Sequence, residues 1–420
     1  MNYRRIAEKR RAIKSNMMVV GVDVAKFKHV ARALLPDHTF TNPCYFTNDI
    51  HGFNRFLAKT SEWRRKYGFT EIIVGMEPTG HYFKPLARWL IRQDVQVVLV
   101  MPRDVSHRKA DFNNNPTKCD PKDAILIADL VAGGCYFPAR LAQGNLAVLQ
   151  RLVHYRWQLV KDRTRMLNRL QADLDERFPE FAAVYRDVTT RTAQYLIEHY
   201  SSPGTLASRT VAQLSREIKQ HCAHTVDETR LTALLSKAAE TIGSEDGWNG
   251  LSTFVIPGKL KTLKLLKEQL EEVEAAIGRL VWTFADTHYM TSVGGIGPLS
   301  AAVYIAETGG LGNYAAGDAV VKMAGLDLCE QSTGETHGQR HISHYGRSLL
   351  RTTAYFDALV QSRRGMPLHD LYEQLVKRGK PKVEALVAVG CALLRLLHAL
   401  VRDQRTYTPK PPARSVQPAA

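Results

Sequence analysis

The first apolar block of the chain, MMVVGVDVA at 17–25, is short and β-branched, and it predicts a buried strand with an aspartate, Asp23, inside it. Apolar stretches at 29–35 and 39–46 follow, and the Pro36-Asp37 break between them predicts antiparallel strands joined by a turn. Residues 50–67 have helical spacing, and EIIVGM at 71–76 predicts a second buried strand that runs into Glu77. Helical spacing returns over 81–92, strand character over 95–101 (VQVVLVM), and a helix over 121–130 opens at Asp120 or Pro121. Antiparallel strands first, then strands alternating with helices, predict a mixed α/β domain with the order of a ribonuclease-H-like sheet.

Residues 146–177 are apolar at near-heptad spacing and rich in arginine, and 259–284 (LKTLKLLKEQLEEVEAAIGRL within it) repeat the character, which predicts a helical hairpin or coiled coil. The stretch between them, 178–256, is helical in composition, but its pattern does not define how it packs. From Thr291 the character changes: SVGGIG at 292–297 leads into an apolar helix over 298–307, then a short helix over 318–324 and a Gly/Ser/Thr/His-rich loop over 331–346. Helices over 347–362 and 381–402 close the ordered chain, and the Pro-rich end predicts disorder. The expected division is a basic arm at 1–16, an α/β domain at 17–143, a helical coiled-coil region with an insertion at 144–288, a mainly helical C-terminal domain at 289–403 and a tail at 404–420.

Four carboxylates stand where a carboxylate is costly unless it has a use. Asp23 interrupts an apolar strand, Glu77 ends another just before Pro78-Thr79-Gly80, and Asp120 and Asp123 lie three apart at the opening of a helix, on one face. A cluster of that kind without an obligatory base is best neutralised by a hard divalent cation, and two Mg²⁺ ions about 3.5–4 Å apart can clamp both oxygens of a phosphodiester displacement. Taken singly, Asp120 before Pro121 also suits an N-cap, and Asp123 a favourable first-turn charge.

Several segments together carry a resemblance: GVDVAKFKHVA at 21–31, MEPTGHYFKPLARWL at 76–90, KCDPKDAILIADL at 118–130, SVGGIGPLSAAVYIAETG at 292–309 and KMAGLDLCEQSTGETHGQRHISHYGRSLLR at 322–351. In this order they resemble the DEDD-type insertion-sequence transposases, a family that includes pilin-gene invertases and bridge-RNA-guided recombinases. The resemblance implies a RuvC-type, ribonuclease-H-like domain with Asp23, Glu77, Asp120 and Asp123 as a Mg²⁺-binding tetrad, a coiled-coil middle and a mainly helical C-terminal transposase domain with a serine nucleophile. It also implies that the acidic centre and the serine come from different subunits of a homodimer or homotetramer, and that a structured guide RNA pairs with donor and target DNA. The resemblance further implies that the serine attacks a DNA phosphate and becomes covalently linked to it.

The family's serine directly precedes a glycine, whereas this chain reads Gln331-Ser332-Thr333-Gly334. Ser332 offers the less hindered primary hydroxyl, and Thr333 holds the ungapped position. The proton acceptor is left open among His337, His341 and a tetrad carboxylate. Arg340 and Arg347 flank the loop and are able either to grip phosphate oxygens or simply to be solvated. SVGGIG looks like a helix-hairpin-helix turn in which Gly295 and Gly297 let backbone N–H groups approach a phosphate, or merely allow tight helix packing. Arg151, Arg156 and Arg163 on the predicted long helix are further candidates for phosphate contact.

Charge agrees with a nucleic-acid partner: Lys and Arg number 57 against 41 acidic residues, a net +16. The N-terminal run, with Arg4, Arg5, Lys9, Arg10, Arg11 and Lys14, reads as a solvated arm or a phosphate contact, and it lacks the apolar core of a signal peptide. No apolar run reaches the roughly 18 residues that a membrane span needs, so no membrane association is expected. The six cysteines include no CxxC pair and fit a reducing, cytoplasmic setting; His221-Cys222-Ala223-His224 is the one dense ligand-type cluster and has no partner cluster. The main alternative is a RuvC-type endonuclease that uses water as nucleophile, which leaves 291–400 without a role. An actin-like ATPase needs Gly-rich phosphate loops that the sequence around 21–28 lacks, and the full tetrad argues against a catalytically inactive relative.

Overall fold

The computed structural model describes residues 3–78, 80–112, 120–200, 202–222, 226–243, 254–329 and 341–409, with backbone alone at 3–5, 110–112 and 120. The chain divides into two compact units, Met1–Leu141 and Ala142–Ala420.

The first unit runs α1 (Tyr3–Ala12), β1 (Met17–Asp23), β2 (Lys28–Ala33), β3 (Cys44–Thr47), α2 (Ile50–Tyr67), β4 (Glu71–Met76), α3 (Phe83–Arg92), β5 (Gln96–Leu99), α4 (Pro102–Phe112), α5 (Asp120–Ala132) and β6 (Phe137–Pro138). Its sheet has the order β3-β2-β1-β4-β5-β6. β2 is antiparallel to both β1 and β3, β4 is parallel to β1 and β5, and β6 returns antiparallel. Side chains alternate across the sheet as the strand period requires. Met18, Val20 and Val22 face α2 and α3 through Phe53, Phe56, Trp63, Phe83, Leu86 and Leu90. Met17, Val19, Ile73 and Val98 face α5 through Ile127, Ala128 and Val131. Because β1 and β4 are covered on both faces, their sequences are continuous apolar runs rather than alternating ones.

Several sequence expectations change. The basic N-terminal arm is largely the helix α1, whose Lys9 Nζ donates to the Tyr136 carbonyl and whose Lys9 carbonyl accepts from the Tyr136 hydroxyl at 3.3 Å. β2 and β3 are shorter than their apolar stretches, because the chain between them turns on Asp37, whose Oδ1 accepts from the Thr39 N–H at 3.0 Å. α4 is absent from the pattern reading, since among the described side chains of PRDVSHRKADF only Val105 is a buried apolar anchor.

The second unit runs α6 (Gly144–Arg177), α7 (Phe181–Val184), α8 (Arg191–His199), α9 (Pro203–Ala207), α10 (Val211–Cys222), α11 (Glu228–Ala239), α12 (Ile256–Val281), α13 (Ala285–Thr291), α14 (Pro298–Thr308), α15 (Gly317–Met323), β7 (Leu328–Cys329), β8 (His341–Ile342), α16 (Ser348–Gln361), α17 (His369–Lys377) and α18 (Lys382–Arg402). α6 and α12 form an antiparallel hairpin: Asn145 meets Thr283, Arg156 meets Glu274 and Lys259 meets Asp173. Leu263, Leu266, Leu270, Val273, Ile277 and Val281 give α12 a buried seam at spacings of three and four. The far end of the hairpin shares a core with α7–α11: Leu170, Leu174, Ile256 and Leu260 pack with Phe181, Leu196, Leu214 and Leu231. Its near end is built into a second core with α13–α16 and α18. Cys222 of the His-Cys cluster is buried in the first of these cores, and His224 lies outside the described residues.

By length and composition α18 could cross a membrane, which the sequence reading did not anticipate because Arg395 and His398 interrupt its apolar run. Its apolar side is a core face, with Val389, Leu393, Leu394 and Leu397 wholly buried.

Candidate active site

Asp23 ends β1 and Glu77 directly follows β4, and the parallel register sets Val22 beside Met76, so both carboxylates emerge at the same edge of adjacent strands. The register also sets Gly21 opposite Gly75, and both glycines lie under α5. A Cβ on Gly21 would stand 2.0 Å from the Ala124 carbonyl oxygen and 2.5 Å from the Ala128 nitrogen; one on Gly75 would stand 2.5 Å from Val131 Cγ2. The missing side chains therefore let the α5 backbone rest on the sheet, with Asp123 immediately before the Ala124 contact.

Asp123 is buried, and its Oδ2 accepts from Lys109 Nζ of α4 at 2.8 Å. Lys109 itself is well exposed, so a cation already stands at this carboxylate on a side chain free to swing into water. Asp120 opens α5, but its side chain lies outside those described. Among the described residues no three acidic, His or Cys side chains are grouped closely enough to share a metal ion. The structure thus brings the strand ends of Asp23 and Glu77 together and seats the Asp123 helix over the first, and among the described residues these form no three-ligand cage.

Ser332, Thr333 and Arg340, with His337, fall within 330–340 and lie outside the described residues. β7 and β8 pair antiparallel, with Cys329 opposite His341. Below them Arg347 N–H donates to the Met323 carbonyl at 2.7 Å and Ser343 N–H to the Asp327 carbonyl at 2.8 Å. Gly346 lies so close to Gly325 that a Cβ would stand 2.3 Å from the Gly325 nitrogen, and Gly325 has φ +67°. Arg347 caps the start of α16 and reaches buried Glu307 at 3.7 Å, while His154 Nε2 of α6 lies 2.6 Å from the other oxygen of the same carboxylate.

Residues 292–297 form the turn between α13 and α14. Gly295 takes φ +86° and lies against α16, where a Cβ would stand 2.8 Å from Val360 Cγ1, so packing is one of its roles. Gln361 Nε2 holds the neighbouring Gly294 carbonyl at 2.7 Å. Gly297 is exposed at the N-terminus of α14 with open space around it, as a backbone contact to a phosphate requires. Of the three helix arginines, Arg156 is paired with Glu274 at 2.7 Å, whereas Arg151 and Arg163 are exposed.

Pattern reading missed Lys109, the two glycines under α5, and a buried polar group behind the hairpin turn. In that group Asp357 accepts from Tyr304 Oη at 2.6 Å and from Ser300 Oγ at 2.9 Å. Burial raises the Asp357 pKa above the ordinary carboxylate value, and the two hydroxyl donors offset this in part. Only Gly21 had a local signal, as a glycine inside a β-branched strand.

Comparison with known proteins agrees with the resemblance. A family model described as a transposase of the DEDD, IS110 kind matches residues 20–179, and one described as the IS116/IS110/IS902 transposase family matches 287–373. The insertion element IS116 protein of Streptomyces clavuligerus is 24% identical over 404 residues, spanning 94% of this chain and 96% of that protein. The insertion element IS900 protein of Mycobacterium paratuberculosis is 26% identical over 317 residues, spanning 75% of this chain and 79% of that protein. A pilin gene-inverting protein of Moraxella bovis is 24% identical over 393 residues, spanning 92% of this chain and 97% of that protein. With both family models in order along its length and relatives that match it almost end to end, the chain belongs to the IS110 family of DEDD-type insertion-sequence transposases.

Proposed function

We propose that this transposase cuts and rejoins DNA at a composite centre: Asp23, Glu77, Asp120 and Asp123 of a RuvC-like unit hold Mg²⁺, and Ser332, with Thr333 as its rival, supplies the nucleophile. The observation that carries the reading is the glycine contact beneath α5, which seats Asp123 over the strand that ends in Asp23. The sheet order, three antiparallel strands followed by parallel ones, is the one expected of a ribonuclease-H-like domain. All four proposed ligands are hard oxygen donors, and the cationic Lys109 on Asp123 marks a place where positive charge is needed. When bound, Mg²⁺ polarises a phosphate oxygen and stabilises charge on the phosphorane-like transition state.

The chain's own groups do the rest. Lys109 releases Asp123 and turns into solvent. Arg347, steadied by Glu307, and the open α14 N-terminus at Gly297 hold phosphate oxygens. The hydroxyl oxygen bonds to phosphorus while the P–O bond to the departing strand breaks, and that strand leaves as a hydroxyl after taking up a proton. Attack by the hydroxyl of the incoming strand reverses the exchange and frees the side chain. Two subunits share the centre in a homodimer or homotetramer, and a structured guide RNA from the same element selects donor and target DNA.

The test is a plasmid recombination assay with the full chain. Replacing Ser332 and Thr333 together by Ala is expected to abolish both the covalent protein–DNA adduct and the recombinant product, and Asp123→Ala to abolish both as well. Continued strand cutting by the double-alanine protein would establish a water-dependent nuclease instead.

A further inference from the structure

Within the second unit, the α6–α12 hairpin and α8 enclose a cleft of about 630 Å³. Arg163 enters it from α6, Arg191 from α8, and Lys261, Lys264 and Lys267 from α12. The three lysines recur every third residue, so they form a row about 9 Å long on one helix face. Lys267 has only a loose partner, Glu271 at 3.8 Å on the outer surface. Among the described residues the other four cations form no ion pair, and Glu198 is the one acidic side chain in the cleft. Unpaired like charges around a concavity repel one another and concentrate a positive potential there, which a polyanion relieves.

The lining has a second character. Leu260 and Leu263 are buried beneath it, and Thr189, Gln194 and Glu198 add uncharged and acidic hydrogen-bonding groups. A carboxylate among phosphate-binding cations is unfavourable if the occupant offers only phosphates. It becomes useful if the occupant also offers a hydroxyl donor, and the ribose 2′-hydroxyl is the group that distinguishes RNA from DNA. Apolar surface beside it accommodates sugar or base faces.

The geometry points to this cleft as an RNA-binding site, in which Arg163, Arg191, Lys261, Lys264 and Lys267 hold the phosphate backbone and Glu198 accepts from a 2′-hydroxyl. The site gives the 178–256 insertion a role: α8 completes a groove whose other two walls are the hairpin. The inference rests on the reading of this protein as an RNA-guided recombinase, and it assigns that RNA a seat remote in sequence from the acidic tetrad.

The test uses the full-length protein and two probes, a folded RNA hairpin of about 16 base pairs and a DNA hairpin of the same sequence. Binding is followed by fluorescence anisotropy between about 50 and 200 mM salt. Arg191→Gln/Lys261→Gln/Lys264→Gln is expected to raise the RNA Kd at least tenfold and to reduce the salt slope by about 2–3, since each of the three lost phosphate contacts removes about 0.7–0.9. Arg216→Gln/Lys219→Gln/Lys237→Gln, which removes equal charge elsewhere in the insertion, is expected to change the Kd less than threefold. Equal losses in the two triple variants would overturn the site, because net charge alone would then explain binding. Glu198→Ala is expected to lower the RNA-to-DNA preference at least threefold; a preference that stays constant while both probes bind more tightly would overturn the assignment to RNA. Asp123→Ala separates the two readings: it should bind RNA as the wild type does while losing recombination. Wild-type RNA binding by the cleft variant would defeat the cleft proposal alone, whereas full recombination by Asp123→Ala would defeat the catalytic reading alone.

Discussion

Substituting Gly21 by Ala perturbs the proposed acidic centre without touching a carboxylate. The new methyl would lie 2.0 Å from the Ala124 carbonyl oxygen, 2.5 Å from the Ala128 nitrogen and 3.1 Å from the Ala128 Cα. All three are backbone atoms, so no rotamer change relieves them. α5 must retreat by more than about 1 Å to restore an ordinary C···O separation of about 3.3 Å. Overpacking of this kind costs about 2–3 kcal/mol, and in a unit of this size it lowers the first melting transition by roughly 5–10 °C. The catalytic effect should be larger than the stability effect, since moving a reacting group by about 1 Å can cost about 100-fold in rate. Gly52→Ala is the matched control: its Cβ would also meet backbone at 2.0 Å, the Thr47 carbonyl, but at the start of α2 on the opposite face of the sheet. Recombination is measured below both melting transitions. A Gly21→Ala protein that recombines as well as Gly52→Ala at equal loss of stability would refute the idea that α5 must lie against β1.

Other outcomes follow from buried groups. Tyr304→Phe removes one of the two donors to Asp357 and is expected to cost about 1–3 kcal/mol by denaturant titration. Because burial raises the folded pKa of Asp357, its contribution to stability is complete below the ordinary value of 3.8 and is lost as pH rises through the folded value; Asp357→Asn should flatten that dependence. His29 behaves in the opposite sense: burial, opposed only in part by Asn48, lowers its pKa below 6.5, so stability is complete above 6.5 and is lost as pH falls through the folded value. His29→Phe should remove that acid sensitivity from the first unit, and an unchanged pH profile would show that the imidazole is not its source.

The parts of the fold that could be read from sequence are those whose burial is one-dimensional. β1 and β4 are covered on both faces, so MMVVGVD and EIIVGM declare themselves as continuous apolar runs. The heptad spacing of α12 likewise signals a partner helix, because one stripe of it is buried along its whole length. What could not be read depends on register or on sharing. That Gly21 lies opposite Gly75 is a property of strand pairing, and neither segment alone states it. α17 has no fully buried residue and rests on its core only through the half-buried Leu371, Tyr372 and Leu375, so the short stripe in HDLYEQLVK is a weak signal. The 178–256 insertion resisted interpretation because its short helices do not own their core; they borrow Leu170, Leu174 and Leu260 from the hairpin. At the proposed site, Asp23, Glu77 and Asp123 stood out as carboxylates among apolar neighbours, whereas Lys109 lies in a polar run where a lysine attracts no notice.

The proposed metal role of the tetrad is tested most directly by an anomalous difference map from crystals of the full chain soaked in Mn²⁺. The expected result is one or two peaks between the ends of β1 and β4 and the start of α5, within about 2.0–2.2 Å of carboxylate oxygens of Asp23 and Asp123, with Lys109 displaced from Asp123. An empty map at that position, with Lys109 still bonded to Asp123 at saturating Mn²⁺, would contradict the metal-dependent centre.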